Sequence, residues 1–218
     1  MIPLPWRGNG LAMRRLLLVL ALLTTPAFAG PLSVRVVDVA GKPVRDAVVT
    51  LRPVGRAAPV PKLGASYAIE QRNLQFHPFV SIVPVGATVT FPNFDATRHH
   101  VYSFSVAKRF EFKLFAKDQS RSIKVDRPGT IAVGCNIHDQ MSAFLFVTDT
   151  AWTARTDSNG AVMFRDAPFG PVTIGVWHPY LRAPNGALVR QVALTGAAQS
   201  EAFAVKLRSP PMHDMSGY

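Results

Sequence analysis

Short runs of alternating apolar and polar residues, rich in Val, Thr and Phe, recur from residue 32 to residue 207, and Gly and Pro separate them. Alternation with a period of two is typical of half-buried strands, because successive side chains point to opposite faces of a sheet. No long stretch carries a helical period. The pattern predicts an all-β protein, and its strand spacing fits two β-sandwiches. The predicted strands are residues 32–39, 47–53, 79–84, 88–91, 100–105, 110–115, 120–125, 129–135, 143–148, 152–156, 161–164, 172–177, 189–194 and 201–207.

The N-terminal residues 1–29 have the order of a secretory signal peptide. Two arginines at positions 14 and 15 precede an apolar run over residues 16–23, and a small-x-small sequence ends at Ala29. We therefore expect cleavage after Ala29 and a periplasmic location, with an uncleaved N-terminal anchor as the alternative. Neither this run nor any later one is long enough to span a bilayer comfortably, so no membrane span is expected in the mature form. Met13 is an alternative to Met1 as the true start codon.

The charge balance is strongly basic. The chain has 24 Lys and Arg residues against 13 Asp and Glu residues. Three of the arginines lie in residues 1–29, so residues 30–218 keep 21 basic residues and a net charge of +8. A positive protein attracts acidic partners. The basic residues are scattered and form no arginine-rich arm or basic–aromatic ladder, so no nucleic-acid partner is expected.

Two separated segments carry the pattern of one sandwich. Residues 33–51 read as a strand, a Gly-Lys-Pro-Val turn and a second strand, and residues 156–178 continue from Thr-Asp-Ser-Asn-Gly into two more strands. Both segments resemble halves of the carboxypeptidase regulatory-like, or transthyretin-like, β-sandwich. The resemblance implies that residues 30–59 and 150–207 form this second, smaller sandwich. Residues 60–149 are then a domain inserted in one of its loops, a kind of insertion that surface loops tolerate. Residues 208–218 are expected to be a flexible tail.

Cys135 is the single cysteine, so the chain has no intramolecular disulfide. A free thiol in an oxidising compartment is a liability unless it is buried or bound to a metal. The sequence Cys-Asn-Ile-His-Asp-Gln-Met places His138 and Met141 at intervals of three residues after it. Thiolate, imidazole and thioether are the donors of a trigonal copper site with a weak axial methionine. The alternative is a small apolar Cys135 in the core, with His138 on the surface and Met141 buried.

A trigonal site of this kind needs a second histidine from a neighbouring strand. The segment 91–104 supplies the pair His99 and His100, where a strand begins after a Pro-Asn-Phe-Asp turn. Adjacent side chains of a strand point to opposite faces, so only one of the two can face Cys135. The alternation favours His99, and His100 remains the alternative.

Residues 76–148 resemble the cupredoxin family, in particular small plastocyanin- and amicyanin-like proteins with a short Cys-x-x-His-x-x-Met loop. The segment 83–91 is also similar to the family's strand pair that precedes the first histidine. The resemblance implies a Greek-key β-sandwich that holds one type 1 copper ion through His99, Cys135, His138 and Met141. With all four positions filled by protein ligands, copper could change charge without binding a substrate, so we expect a monomeric one-electron carrier. A periplasmic redox protein with an acidic face, such as a c-type cytochrome or a dehydrogenase, is the expected partner.

Two other functions remain alternatives to the electron carrier. Nothing resembles a nucleophile elbow or a zinc hydrolase motif, so no enzymatic activity is expected. A copper-binding or copper-delivery protein would use the same ligands. A cupredoxin scaffold without metal could serve as a binding module.

The electron carrier would need a docking surface near its copper site. An apolar rim around His138 is predicted from Val133, Ile137 and Ala143, and it would suit the small interfaces of redox encounters.

Overall fold

The structure is a computed structural model that describes residues 30–209. The predicted signal peptide and residues 210–218 of the predicted tail lie outside the described residues. The strands are Leu32–Asp38 (β1), Val48–Pro53 (β2), Tyr67–Ala68 (β3), Glu70–Arg72 (β4), Gln75–His77 (β5), Val80–Pro84 (β6), Thr88–Pro92 (β7), His99–Ser105 (β8), Lys108–Phe115 (β9), Ser120–Lys124 (β10), Gly129–Cys135 (β11), Ser142–Thr148 (β12), Thr153–Arg155 (β13), Ala161–Phe164 (β14), Gly170–Trp177 (β15), Leu188–Leu194 (β16) and Gln199–Val205 (β17). One 3-10 turn covers Pro184–Gly186.

The described chain is all-β, which confirms the predicted class. Every predicted strand corresponds to an observed one, with ends that differ by two residues or fewer. The sequence pattern missed β3, β4 and β5, which have two or three residues each. Runs this short cannot establish a period of two. The missed hairpin β4–β5 has Asn73 and Leu74 in its turn.

Residues 67–148 enclose one hydrophobic core between two sheets. The larger sheet has the strand order β6-β12-β11-β8-β9, and the smaller one has the order β10-β7-β3. Most neighbours are antiparallel, but β6 pairs with β12 in parallel, and β3 with β7. The inward side chains of both sheets meet in one cluster that includes Phe91, Val101, Phe115, Cys135 and Met141. Alternation along β8 and β11 places every second residue in this core.

A second core is made by strands from both ends of the described chain. The strand orders are β13-β2-β15-β16 and β14-β1-β17. The buried cluster between them draws on residues 32–51 and 164–205 only. The chain therefore leaves this core after β2 and returns to it at β13.

The two ends of the intervening segment lie side by side. The amide of Ala151 donates to the carbonyl of Pro59 at 2.8 Å. Arg52 and Asp149, which lie near these two ends, also form an ion pair. Nothing in the described part of the chain is a helix with the length and apolar character needed to cross a bilayer.

Candidate metal centre

Regular alternation along β8 sets the direction of the paired histidines, and a bulge lies opposite them on β9. His99 lies opposite Phe115, and Val101 lies opposite Phe112, so three steps on β9 match two on β8. His99 and Val101 are both fully buried, whereas His100 between them is half-buried on the other face. His99 is thus the histidine that faces the core, as the strand alternation favoured.

Cys135 ends β11 directly beside this strand. It pairs with Val101 on β8, so Cys135 and His99 are diagonal neighbours on the same face of the sheet. The sulfur is buried, with the residue 4% exposed. The sheet therefore presents a thiol and an imidazole to each other from two hydrogen-bonded strands, which restricts their relative motion.

The loop between β11 and β12 returns His138 to the same place. The amide of Met141 donates to the carbonyl of His138 at 2.9 Å, and the amide of Cys135 donates to the carbonyl of Met141 at 3.2 Å. The amide of Asn136 is held by the carbonyl of His100 at 2.9 Å. These bonds close residues 135–141 into a compact turn in which the spacing of three brings His138 back over Cys135.

Three donor atoms converge within this arrangement. His99 Nδ1 lies 3.2 Å from His138 Nδ1. The sulfur of Cys135 lies 3.7 Å from His99 Nδ1 and 3.5 Å from His138 Nδ1. His99, Cys135 and His138 form the group in the described residues whose ligand atoms are close enough to share one metal ion.

The triangle has dimensions that suit a first-row metal ion. With about 2.0 Å to each nitrogen and about 2.3 Å to sulfur, angles between trigonal and tetrahedral separate the nitrogens by about 3.3–3.5 Å. The same angles separate nitrogen from sulfur by about 3.5–3.7 Å. The observed separations of 3.2, 3.5 and 3.7 Å agree with these values. The donor set of two imidazoles and one thiolate therefore fits a metal ion.

Met141, the predicted axial ligand, is buried in the same hydrophobic cluster as Cys135 and is 1% exposed. It directly precedes β12 and shares the turn of His138. Met141 is therefore near the centre, and its thioether stays a predicted ligand. His100 instead points its Nε2 to Glu111 Oε1 at 2.8 Å on the outer face of the sheet.

Asp95 is a contributor to the site that the sequence pattern did not indicate. Its Oδ2 lies 2.9 Å from His99 Nε2, on the side of the ring away from Cys135. Its Oδ1 accepts the amide of Asn73 at 2.6 Å, and its Oδ2 also accepts the amide of Leu74 at 3.1 Å. The Pro-Asn-Phe-Asp turn marked a strand end in the sequence, but no pattern linked Asp95 to a hairpin some twenty residues earlier.

Burial and hydrogen bonding set the charge states of His99 and Asp95. Burial lowers the pKa of His99 below its usual value, although neighbouring Asp95 opposes this shift. Burial also opposes ionisation of Asp95, but the hydrogen bonds from His99, Leu74 and Asn73 outweigh it and lower the pKa of Asp95. A neutral imidazole beside an ionised carboxylate is the state in which His99 can offer a lone pair to a metal.

The apolar rim predicted around His138 is wrong in two of its three members. Val133 is 2% exposed and Ala143 is fully buried, because both point into the core between the sheets. Ile137 is exposed, as predicted. The exposed apolar residues Leu74 and Phe94 lie on the two turns that Asp95 joins.

Comparison with known proteins gives similarity in structure only. No protein-family model and no curated protein matches the chain. A purple cupredoxin from Nitrosopumilus maritimus is 20% identical over 38% of this chain and 100% of its own, with a TM-score of 0.35. The Cu(I) form of an amicyanin mutant is 20% identical over 46% of this chain and 98% of its own, with a TM-score of 0.36. A copper-containing nitrite reductase from Thermus scotoductus SA-01 is 23% identical over 53% of this chain and 28% of its own, with a TM-score of 0.37.

Proposed function

We propose that this chain is a periplasmic type 1 copper protein that carries single electrons between redox partners. The observation that supports the proposal best is the convergence of His99, Cys135 and His138, whose donor atoms lie 3.2–3.7 Å apart. Two imidazoles and a thiolate, with a distant thioether from Met141, are the donors typical of such electron-transfer sites. Bound copper would supply a one-electron Cu(II)/Cu(I) couple.

The chain's own residues would give this couple its properties. His99 and Cys135 are held by adjacent strands, and His138 by a closed turn, so the ligands would change position little between oxidation states. Because Cys135 and Met141 are buried, water would be excluded from the sulfur side. His138 is the half-buried member of the trio, so its ring edge would be the route for the electron to a partner.

We further propose that residues 60–149 are a cupredoxin domain inserted in a transthyretin-like sandwich made by residues 30–59 and 150–207. The two separate cores and the hydrogen bond between Ala151 and Pro59 support this division. We propose that the protein has no enzymatic activity. We also propose that it is a monomer and that its partner is a periplasmic protein with an acidic face, such as a c-type cytochrome or a dehydrogenase. The positive charge of the chain would speed that encounter.

The test is an optical and metal analysis of the full chain exported to a bacterial periplasm. We expect one copper per chain and an intense visible band from thiolate-to-Cu(II) charge transfer. The Cys135→Ser variant should lose the band and fold normally, because Ser nearly matches Cys in size. Absence of copper and of colour in the wild-type protein would refute the proposal and favour the metal-free binding module.

A copper-delivery protein would share these ligands, and the two functions differ in how the metal leaves. A carrier should keep Cu(I) in the presence of a competing chelator and exchange electrons rapidly between its own copies. Ready transfer of Cu(I) to the chelator would favour delivery.

A further inference from the structure

The Asp95 carboxylate is the meeting point of three elements that are distant in sequence. It accepts the His99 ring N–H from the start of β8 and the amides of Asn73 and Leu74 from the β4–β5 turn. Its side chain is only 12% exposed. An ionised carboxylate only accepts hydrogen bonds, and here three donors use its two oxygens. Asp95 is thus specifically held, and it is not a solvated surface charge.

The backbone around Asp95 is fixed as well. Its amide donates to Oδ1 of Asn93 at 2.9 Å, and Asn93 is fully buried. Nδ2 of Asn93 in turn donates to the carbonyls of Thr97 and Phe115 at 2.9 and 3.2 Å. The carboxylate is therefore placed by a buried amide that also ties it to the end of β9.

The turn that faces Asp95 has an unusual conformation. Asn73 and Leu74 both have a φ of +55°. Asn tolerates this left-handed region, but Leu adopts it rarely. In this conformation both amides point to the one carboxylate, at 2.6 and 3.1 Å. Strain of this kind persists where surrounding contacts compensate for it, and it clusters at functional sites.

The contact fixes the tautomer of His99. Oδ2 of Asp95 can only accept, so the proton must be on Nε2 of His99. The lone pair is then on Nδ1, the atom that lies 3.7 Å from the Cys135 sulfur and 3.2 Å from His138 Nδ1. The other tautomer would put a hydrogen on Nδ1, where it would block a metal.

We propose that Asp95, itself anchored by the Asn73–Leu74 turn, is the positioning residue that holds His99 ready for metal in the metal-free protein. This inference rests on the proposed function for the identity of the metal, but the orientation of His99 is a property of the metal-free chain. Outer partners that fix a histidine ligand in this way typically contribute 10- to 100-fold to metal affinity. The negative charge of Asp95 also favours the higher oxidation state of a bound ion, so its removal should raise the reduction potential.

The test uses the full chain and compares Asp95→Ala and Asp95→Asn with the wild-type protein. Nitrogen-15 NMR of the reduced, metal-free chain reports the tautomer of His99. We expect the Nε2–H form in the wild type and a mixture of tautomers in Asp95→Ala. Titration with Cu(II) should show a 10- to 100-fold weaker affinity for Asp95→Ala. Asp95→Asn cannot accept all three donors, so it should also lose Cu(II) affinity. Because it keeps one acceptor oxygen, its loss of affinity should be smaller than that of Asp95→Ala.

Asp118→Asn is the matched control. Asp118 has an exposed carboxylate on the β9–β10 turn, and its φ of +61° suits Asn. Its amide donates to the backbone carbonyl of Asn93, the residue that also accepts the amide of Asp95. It removes the same charge nearby without touching His99, so its affinity should stay within twofold of wild type. A thermal unfolding scan identifies any variant that fails to fold, and Asp95→Asn decides the question if Asp95→Ala does not fold.

The possible failures are distinguishable. If both Asp95 variants keep His99 in the Nε2–H form and bind Cu(II) like the wild type, the positioning role is wrong. If the wild type binds no copper, the proposed function fails. The NMR result still decides whether Asp95 sets the tautomer of His99.

Discussion

Phe146 on the outer face of β12 packs against Trp177 at the end of β15, with ring centroids 5.4 Å apart. The two rings belong to sheets that enclose different cores. Phe144, two residues earlier, also contacts Trp177, at 6.3 Å, and Tyr180, at 6.4 Å. β12 lies next to β11, the strand that ends at Cys135. The aromatic contacts from β12 therefore attach this sheet to the pair of sheets around the second core.

Phe146→Ala should destabilise the protein by about 2 kcal/mol. That is less than the 3–5 kcal/mol typical of a fully buried Phe, because Phe146 is half-buried. The matched control is Phe104→Ala, which removes a ring that is 72% exposed and should cost less than about 0.5 kcal/mol. Urea unfolding at neutral pH measures both values. Equal effects of the two substitutions would contradict the importance of the contact.

His99→Ala and His100→Ala should have opposite effects on copper binding. His99 is fully buried with Nδ1 3.7 Å from the Cys135 sulfur, whereas His100 faces Glu111 at 2.8 Å. On the proposed function, His99→Ala removes one of three close donors and should abolish the charge-transfer colour. His100→Ala should retain it at near wild-type intensity. Visible spectra of both variants after addition of Cu(II) check this, and loss of colour in His100→Ala alone would reverse the assignment.

The structure predicts that His178 makes the protein less stable in mild acid. Burial lowers the pKa of His178 below its ordinary value of 6.5, and the nearby charge of Asp46 and a hydrogen bond to the backbone of Arg45 oppose this only in part. Nδ1 of His178 accepts the amide of Tyr180 at 3.2 Å, a role that only the unprotonated nitrogen can have. The unfolded chain therefore binds the proton more readily than the folded chain.

It follows that the free energy of unfolding should fall as the pH drops through about 6.5, by at most about 1.4 kcal/mol per pH unit from this group. His178→Gln should show a smaller decrease between about pH 7.5 and pH 5.5 in urea unfolding. His77→Gln, at an exposed position on β5, is the control for the replacement of one histidine. An identical pH dependence in wild type and His178→Gln would contradict the prediction.

Gly160 should tolerate no side chain. Its φ is +69°, and a Cβ there would lie 2.3 Å from the carbonyl oxygen of Val36 and 3.0 Å from the amide of Val44. Because both neighbours are backbone atoms of the second core, Gly160→Ala should cost more than about 3 kcal/mol. Gly41 has a similar φ of +81° but open space around it, so Gly41→Ala should cost only about 1–2 kcal/mol. Thermal and urea unfolding of the two variants measure the difference, and similar losses would show that the clash is relieved.

The sequence by itself determined the fold class and the donor types. Alternation of apolar and polar residues is a local property of each strand, so it located every strand except β3, β4 and β5. The spacing of Cys135, His138 and Met141 lies within a single turn, and it was readable for the same reason. The choice between His99 and His100 was partly readable, since strand alternation favours one face over the other.

Only the tertiary structure decided which strands are neighbours, and so which side chains meet. The bulge on β9 opposite His100, the diagonal position of Cys135 and His99, and the burial of Val133 and Ala143 all depend on the register between strands. Asp95 meets Asn73 and Leu74 through a hairpin too short to carry a period. Contacts between residues distant in sequence leave no local pattern, because the energy that fixes them comes from packing and hydrogen bonds made only when the whole chain has folded.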